Sequence, residues 1–202
     1  MVKAAQARTA PEPGDAALRR DRLPHMGLEG VEFVMSVEEA FGIAIPDQDA
    51  QKLVTPGHVV RYLEGRLPQG EGSCIDQRAF YAVRRAATSV LSQPRAMFRP
   101  ETRWDAVLPS KGRRRIWKLL HSATGLAIWP SMWPWGSIPH GHVTLGDTAR
   151  HLATHAPAAL QRSGAGWSRG QIEGTVTALI HEQLAIDQFD WDQRFVEDLG
   201  LD

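Results

Sequence analysis

The sequence predicts an all-α protein of two four-helix bundles, one continuous and one formed from the N- and C-terminal segments of the chain. Three observations predict it. Apolar residues recur with helical period in segment after segment, and nothing alternates with period two over a useful length. These segments carry helix start and stop signals in the right places. The sequence also resembles itself in three places, which resets the count of folding units.

Residues 1–21, "MVKAAQARTAPEPGDAALRRD", are rich in Ala, Pro and charge and have little to bury, so they read as a disordered tail. From Leu28 to Phe41 a helical stripe of Leu28, Val31, Val34, Met35, Val37 and Phe41 is flanked by Glu29, Glu32, Glu38 and Glu39, and Gly42 is the expected C-cap. "IAIPDQDAQKL" reads as a loop with a short helix. Thr55 caps the next helix, Pro56 takes its first position, and Val59, Val60, Leu63 and Leu67 form its inner face. "PQGEGS", 68–73, is a linker.

A further helix starts near Asp76, carries Phe80, Val83, Ala87, Val90 and Leu91, and is stopped by Pro94. Residues 95–110 read as a loop anchored by Phe98, Trp104 and Leu108. A basic helix is expected from about Lys111 to Thr124, then a Trp/Pro loop at 129–141, then a helix from Thr144 to about Thr154. "APAALQRSGAGWS" reads as a second linker. The last helix, 169–185, repeats Ile172, Val176, Leu179, Ile180 and Leu184 on one face.

The internal matches organise these elements. "FGIAI" (41–45) matches "TGLAI" (124–128), each ending a helix. "VTPGHVVRYL" (54–63) matches "VTLGDTARHL" (143–152), each opening one. "FDWDQRFVEDL" (189–199) matches "FRPETRWDAVL" (98–108). In the middle of the chain the pieces run in one order and predict a bundle over 74–157. In the other set the first helix and its loop lie at 168–202 and the remainder at 22–67. That set reads as circularly permuted around the first. "RFVEDLGLD" should therefore lead into "GLEGVEFVMSVEEAFG", with Asp202 close to Gly27. The alternative is exchange of 168–202 between two molecules, so that a monomer and a segment-swapped homodimer are both open.

Joined in that order, "FVEDLGLD" and "LEGVEFVMSVEEAFGIAIPDQDAQKLVTPGHVVRYL" resemble an acyl carrier protein. The resemblance of the middle set is weaker. It implies a small helical carrier that takes a phosphopantetheine arm on a serine directly after the Asp, at the start of the second helix. A helix N-terminus suits that chemistry, because its free amides favour a phosphate. Here the position falls on Gly27, which has no hydroxyl. Ser36, in the middle of the helix, is no substitute. In the middle set the equivalent is Ser110, in "LPSKGRRRIWKLL", without the flanking Asp and Leu; its plain role would be an N-cap. The expectation is thus a non-acylated carrier-like interaction protein with no cofactor. The alternative is a working carrier with phosphopantetheine on Ser110, serving fatty-acid or polyketide-type synthesis.

Other candidates follow from charge and aromaticity. Arg113, Arg114, Arg115 and Lys118, with Lys111, reverse the acidic sign that a carrier has on this helix. They read as a docking face for an acidic protein partner or as a solvated helix face, and could also meet the chain's own acidic helix. Glu32, Glu38 and Glu39 are the carrier-like docking residues of the split set. Trp129, Trp133 and Trp135 are expected to cover the gap between the two sets or to form an apolar lip. His140 and His142 lack a Cys/His/Asp set of metal spacing around them, so no metal is expected. Asp47 and Asp49 read as part of the short loop helix, not an acid/base pair.

The bulk numbers exclude several classes. Lys plus Arg equals Asp plus Glu, 23 each, so no global charge argues for nucleic acid or an anionic membrane. The single Cys74 fits a reducing compartment. The N-terminus has no apolar signal region, and the most apolar stretch, "GLAIWPSMWPWGSIP", is broken by prolines. A cytoplasmic protein is expected. No phosphate loop, nucleophile elbow or Ser/His/Asp signature supports an enzyme.

Overall fold

A computed structural model describes residues 27–161 and 164–201. The predicted tail at 1–21, residues 22–26 and Asp202 lie outside that range. Among the described residues the secondary structure is helical: α1 (Leu28–Phe41), α2 (Asp47–Ala50), α3 (Pro56–Arg66), α4 (Ile75–Leu91), a 3₁₀ turn (Arg95–Met97), α5 (Trp104–Val107), α6 (Arg113–Thr124), α7 (Leu145–His155), α8 (Pro157–Leu160) and α9 (Arg169–Leu184).

The apolar side chains gather into two clusters. One combines Phe33, Val37 and Phe41 of α1, Val59, Val60 and Leu63 of α3, Ile172, Val176, Leu179 and Ile180 of α9, and Phe195 and Leu201. The other combines the small face of α4 (Ala79, Val83, Ala87) with Phe98, Trp104, Trp117, Leu120, Leu145, Leu152 and Leu160. In the first, α9 packs on α1 and α3; in the second, α4 packs on α6 and α7. The clusters meet where α1 touches α7 and α8 and where α7 touches α9. Leu201 and Phe33 are buried together, and with Gly30 they line one small cavity. The segment ending at Leu201 thus packs beside the first turns of α1.

The internal sequence matches recur as backbone geometry. Gly57 N–H donates to the Trp191 carbonyl at 2.8 Å, and Gly146 N–H donates to the Pro100 carbonyl at 2.8 Å. Phe195 N–H donates to the Val54 carbonyl at 3.0 Å, as Trp104 N–H does to that of Val143, also at 3.0 Å. In each set the loop after the first helix is bound to the start of the last one, through residues that the sequence match aligns. A third bond, from Leu145 N–H to the Thr102 carbonyl at 3.0 Å, has no counterpart. The position of Leu145 is Pro56 in the other set, and proline has no N–H.

Local chemistry explains the helix ends. Gly42 and Gly125 close α1 and α6 in the left-handed region, at φ 65° and 71°. Thr55 caps α3 through His58 N–H, and Thr144 forms a capping box with Asp147 on α7. The anchors Phe98, Trp104 and Leu108 are buried as expected. Trp104 Nε1 donates to Thr148 Oγ1 at 2.9 Å, which satisfies two fully buried polar groups at once.

Four expectations are corrected. The buried face of α1 is Gly30, Phe33, Val37, Ala40 and Phe41, whereas Leu28, Val31 and Met35 face outward. The basic helix starts at Arg113, not Lys111, because Gly112 adopts φ 74° and supplies the turn into it. The expected second linker holds α8, whose Leu160 is buried in the second cluster. The Trp loop does not fill a gap between the clusters. Trp129 packs on Trp117 and Trp104 at the edge of the second cluster, and Trp133 and Trp135 stack on each other in the open.

A Cβ on Gly57 or Gly146 would lie 2.9 Å from the carbonyl oxygen it bonds beside, whereas one on Gly65 or Gly174 would meet nothing. Gly57→Ala and Gly146→Ala are therefore expected to destabilise the chain by about 1–3 kcal/mol through overpacking against backbone. Gly174→Ala, in the exposed interior of α9, should stabilise it by roughly 0.5–1 kcal/mol, and Gly65→Ala, in the last turn of α3, should stabilise it by less. Urea unfolding of the four variants checks both signs.

Candidate functional site

The outer face of α1 is the first candidate surface. Leu28, Val31 and Met35 are 75%, 46% and 59% exposed, an unusual run of apolar residues for the solvent side of a helix. Glu29, Glu32 and Glu39 are exposed around them. Glu38 departs from its predicted role. It is half-buried, and its carboxylate accepts a hydrogen bond from Ile45 N–H at 2.6 Å, which clamps the loop after α1 onto the helix. Ser36 Oγ bonds back to the Glu32 carbonyl at 2.9 Å and accepts from the side chain of Gln183 on α9. Ser36 is thus tied into the helix pair. Asp49 pairs with Lys52 and Arg66, and the Lys52 ammonium holds its carboxyl below the usual carboxylate range.

The second surface is the basic side of α6. Arg114, Arg115 and Lys118 are exposed and Arg113 is half-buried, and among the described residues none of them forms an ion pair. Arg113 Nε donates instead to the Pro109 carbonyl at 3.1 Å. The predicted alternative of pairing with the acidic helix is not found: among the described residues no cation of α6 forms an ion pair with a glutamate of α1. Arg114, Arg115, Lys118 and Leu119 border an open groove whose other wall is Trp129, Pro130 and Met132. The buried Trp117 donates its Nε1 to the Pro130 carbonyl at 2.6 Å and so fixes that wall against the helix.

Gly27 and Ser110 are the two positions that the sequence aligns with a carrier's modified serine. Gly27 stands directly before α1 as its N-cap, in extended backbone, with no side chain to modify. Ser110 is exposed, but it lies two residues before Gly112, the true N-cap of α6. Its predicted role as the cap is corrected accordingly. It is also not at the helix N-terminus, where amides would favour a phosphate.

A third group escaped the sequence reading. His142, from the loop, lies edge-on to His151 of α7 with ring centroids 4.7 Å apart, and His151 lies 4.4 Å from His155 on the next turn. His155 Nε2 is 2.8 Å from Glu182 Oε2 on α9. Burial pushes His151 down to about 4, helped by the charges of His155 and His142, and burial also lowers His142. The hydrogen bond from His155 holds Glu182 below its ordinary value. His140 is exposed, as a loop histidine ordinarily is. The spacing of His151 and His155 in "RHLATH", i and i+4 on one helix face, was a legible signal. Glu182 comes from a different cluster and had none.

Comparison with known proteins points in one direction. A 37-residue stretch is 57% identical to the acyl carrier protein of Wolinella succinogenes, covering 18% of this chain and 49% of that protein. The acyl carrier protein of Helicobacter acinonychis is 54% identical over 37 residues, 18% of this chain and 47% of its own length. That of an Exiguobacterium species is 48% identical over 48 residues, 24% and 61% respectively. The chain thus spans about half the length of the curated relatives it matches. Part of it is homologous to acyl carrier proteins, at about 50% identity. No protein-family profile and no solved structure matches it. No helix among the described residues is long and apolar enough to cross a membrane.

The two classes of glutamate on α1 separate by experiment. Glu38→Ala should lower stability by about 1.5–3 kcal/mol, the worth of a hydrogen bond to a charged group. Glu32→Ala and Glu39→Ala should stay within about 0.5 kcal/mol of the parent, as exposed substitutions do. Thermal unfolding of the three variants reads the difference.

Proposed function

We propose that this chain is a carrier-like docking protein without an acyl arm, which binds carrier-recognising enzymes or an acyl carrier protein and performs no chemistry of its own. One observation carries the reading. α1, which this reading aligns with the carrier helix that bears the arm, has Gly27 as its N-cap and keeps an exposed apolar row, Leu28, Val31 and Met35, bordered by Glu29, Glu32 and Glu39. In this reading glycine replaces the carrier's nucleophile while its recognition face is kept. The partial homology to acyl carrier proteins supports a carrier-related role, and hence protein partners of the carrier-processing type.

In this reading the chain consists of two carrier-like bundles, the one built from both ends of the chain permuted around the continuous middle one. The matched hydrogen bonds of Gly57 and Gly146, and of Phe195 and Trp104, support that arrangement, as do the two separate apolar clusters. The acidic and apolar face of α1 suits an enzyme with a basic patch. The basic face of α6, with no ion pair of its own among the described residues, suits the acidic helix of a carrier. Complementary charge sets encounter rate and orientation more than final affinity.

Two measurements test this. Coexpression with a broad-specificity phosphopantetheinyl transferase should leave the intact mass unchanged while a control carrier is fully converted; an adduct mapped to Ser110 would make the chain a working carrier. Reversal of Arg113, Arg114 and Arg115 to Glu should weaken capture of an acyl carrier protein and flatten its dependence on salt. Unchanged capture and an unchanged salt slope would remove α6 as the docking face.

A further inference from the structure

The histidine group at the seam between the two apolar clusters is the feature that the docking reading leaves unused. One ligand atom from each of His151, His155 and Glu182 can be chosen so that all lie within 4.8 Å of one another. Within the group, His155 Nε2 and Glu182 Oε2 are 2.8 Å apart. Zinc bonds nitrogen and carboxylate oxygen at about 2.0–2.2 Å, so tetrahedral ligand atoms lie roughly 3.4 Å from each other. The observed spread brackets that distance, and side-chain rotation closes the difference. The two histidines sit at i and i+4 on α7 and thus present their rings from one face, the spacing that helical metal sites use.

A second observation points to a ligand independently. The Nδ1 atoms of His142 and His151 are both buried and have no hydrogen-bond partner among the described residues. Buried polar atoms are normally satisfied, and each exception asks for a missing partner. His142 reaches the group from the loop before α7, with its ring against that of His151. It stands beside the set of three whose ligand atoms converge and supplies a fourth ligand only by turning toward them, which would close the four-ligand set of a structural site.

We propose that His151, His155 and Glu182, with His142 as the fourth ligand, form a zinc-class divalent metal site that joins α7 to α9. The ligand chemistry, imidazoles with one carboxylate, selects a borderline transition metal over magnesium or calcium, which prefer all-oxygen sets. The position gives the metal its role. α7 belongs to the cluster formed by the middle of the chain and α9 to the cluster formed by its two ends, so the ion bridges the two. The proposal does not depend on whether the chain docks on a carrier.

The test uses the full chain stripped of metal with a chelator and titrated with zinc chloride by calorimetry. One zinc per chain should bind, and the unfolding temperature should rise with zinc concentration, because an ion that binds only the folded state stabilises it. Glu182→Gln and His155→Gln alter the more accessible ligands, and far-UV circular dichroism confirms that they fold. Each should weaken zinc binding by at least about tenfold, a loss already seen when groups merely supporting a ligand are removed. Cobalt(II) should give the visible absorption of a four-coordinate site, and His142→Gln should change that spectrum. No saturable binding at micromolar zinc overturns the proposal. So does binding that survives both the Glu182 and the His155 substitution.

Discussion

The fold depends on how the chain passes twice between its two apolar clusters. It leaves the first cluster at Pro68 and returns at Trp167, and the two passages are bonded to each other. Trp167 N–H donates to the Pro68 carbonyl at 2.7 Å, and Gly70 N–H donates to the Trp167 carbonyl at 3.1 Å. The backbones run so close that a Cβ on Gly166 would lie 2.2 Å from the Gln69 carbonyl. Only glycine permits the approach. Trp167 then packs tilted against Phe41, ring centroids 5.0 Å apart, and anchors the crossing in the first cluster, and the side chain of Gln171, from the capping box of α9, reaches back to the Ser73 carbonyl. Within two stretches whose composition suggests loose linkers, residues 68–70 and 166–167 form a fixed joint. With the joint fixed, α9 is delivered onto α1 and α3, and the rest of the first cluster follows.

The second constraint is the repeated strap between a loop and the start of a helix. Once Gly57 and Gly146 must approach the Trp191 and Pro100 carbonyls, glycine is required at both positions, and a threonine cap two residues earlier recurs with it. Residues outside the strap are free to diverge. The aromatic that follows each strap illustrates this: Phe195 packs on Phe33 at 5.2 Å, whereas Trp104 packs on Trp117 at 5.1 Å and adds a hydrogen bond to Thr148. The self-resemblance in the sequence is short because the shared geometry is short. It consists of backbone contacts that few residue types allow.

The legible features were therefore local ones. Gly42, Thr55 and Pro56 carry their structural meaning within a few residues, and Phe98, Trp104 and Leu108 are too apolar and too isolated in polar surroundings to sit anywhere but in a core. The face of α1 was misread for a specific reason. That helix has apolar residues on two sides, and periodicity does not say which of two stripes is buried. Phe33 went inside with Val37, and Leu28, Val31 and Met35 were left out. α8 was missed because a single turn has no period to detect. The histidine group needed Glu182, which lies 27 residues beyond His155 and meets it only across the seam.

The geometry of α1 also limits what a partner can touch. One side of the helix is committed to its own cluster, through Phe33, Val37 and Phe41, and another to α7 and α8. Glu38 is spent on the loop and Ser36 on α9. What is left outward is a narrow strip, Leu28, Val31 and Met35 with Glu29, Glu32 and Glu39. Such a strip is too small and too charged to drive stable association by burial alone. In the proposed docking role it suits a brief, charge-oriented encounter, in which apolar contact forms after the acidic residues have aligned the surfaces. The proposed docking role asks only for that encounter and needs no hydroxyl at the start of the helix, where Gly27 stands as the N-cap.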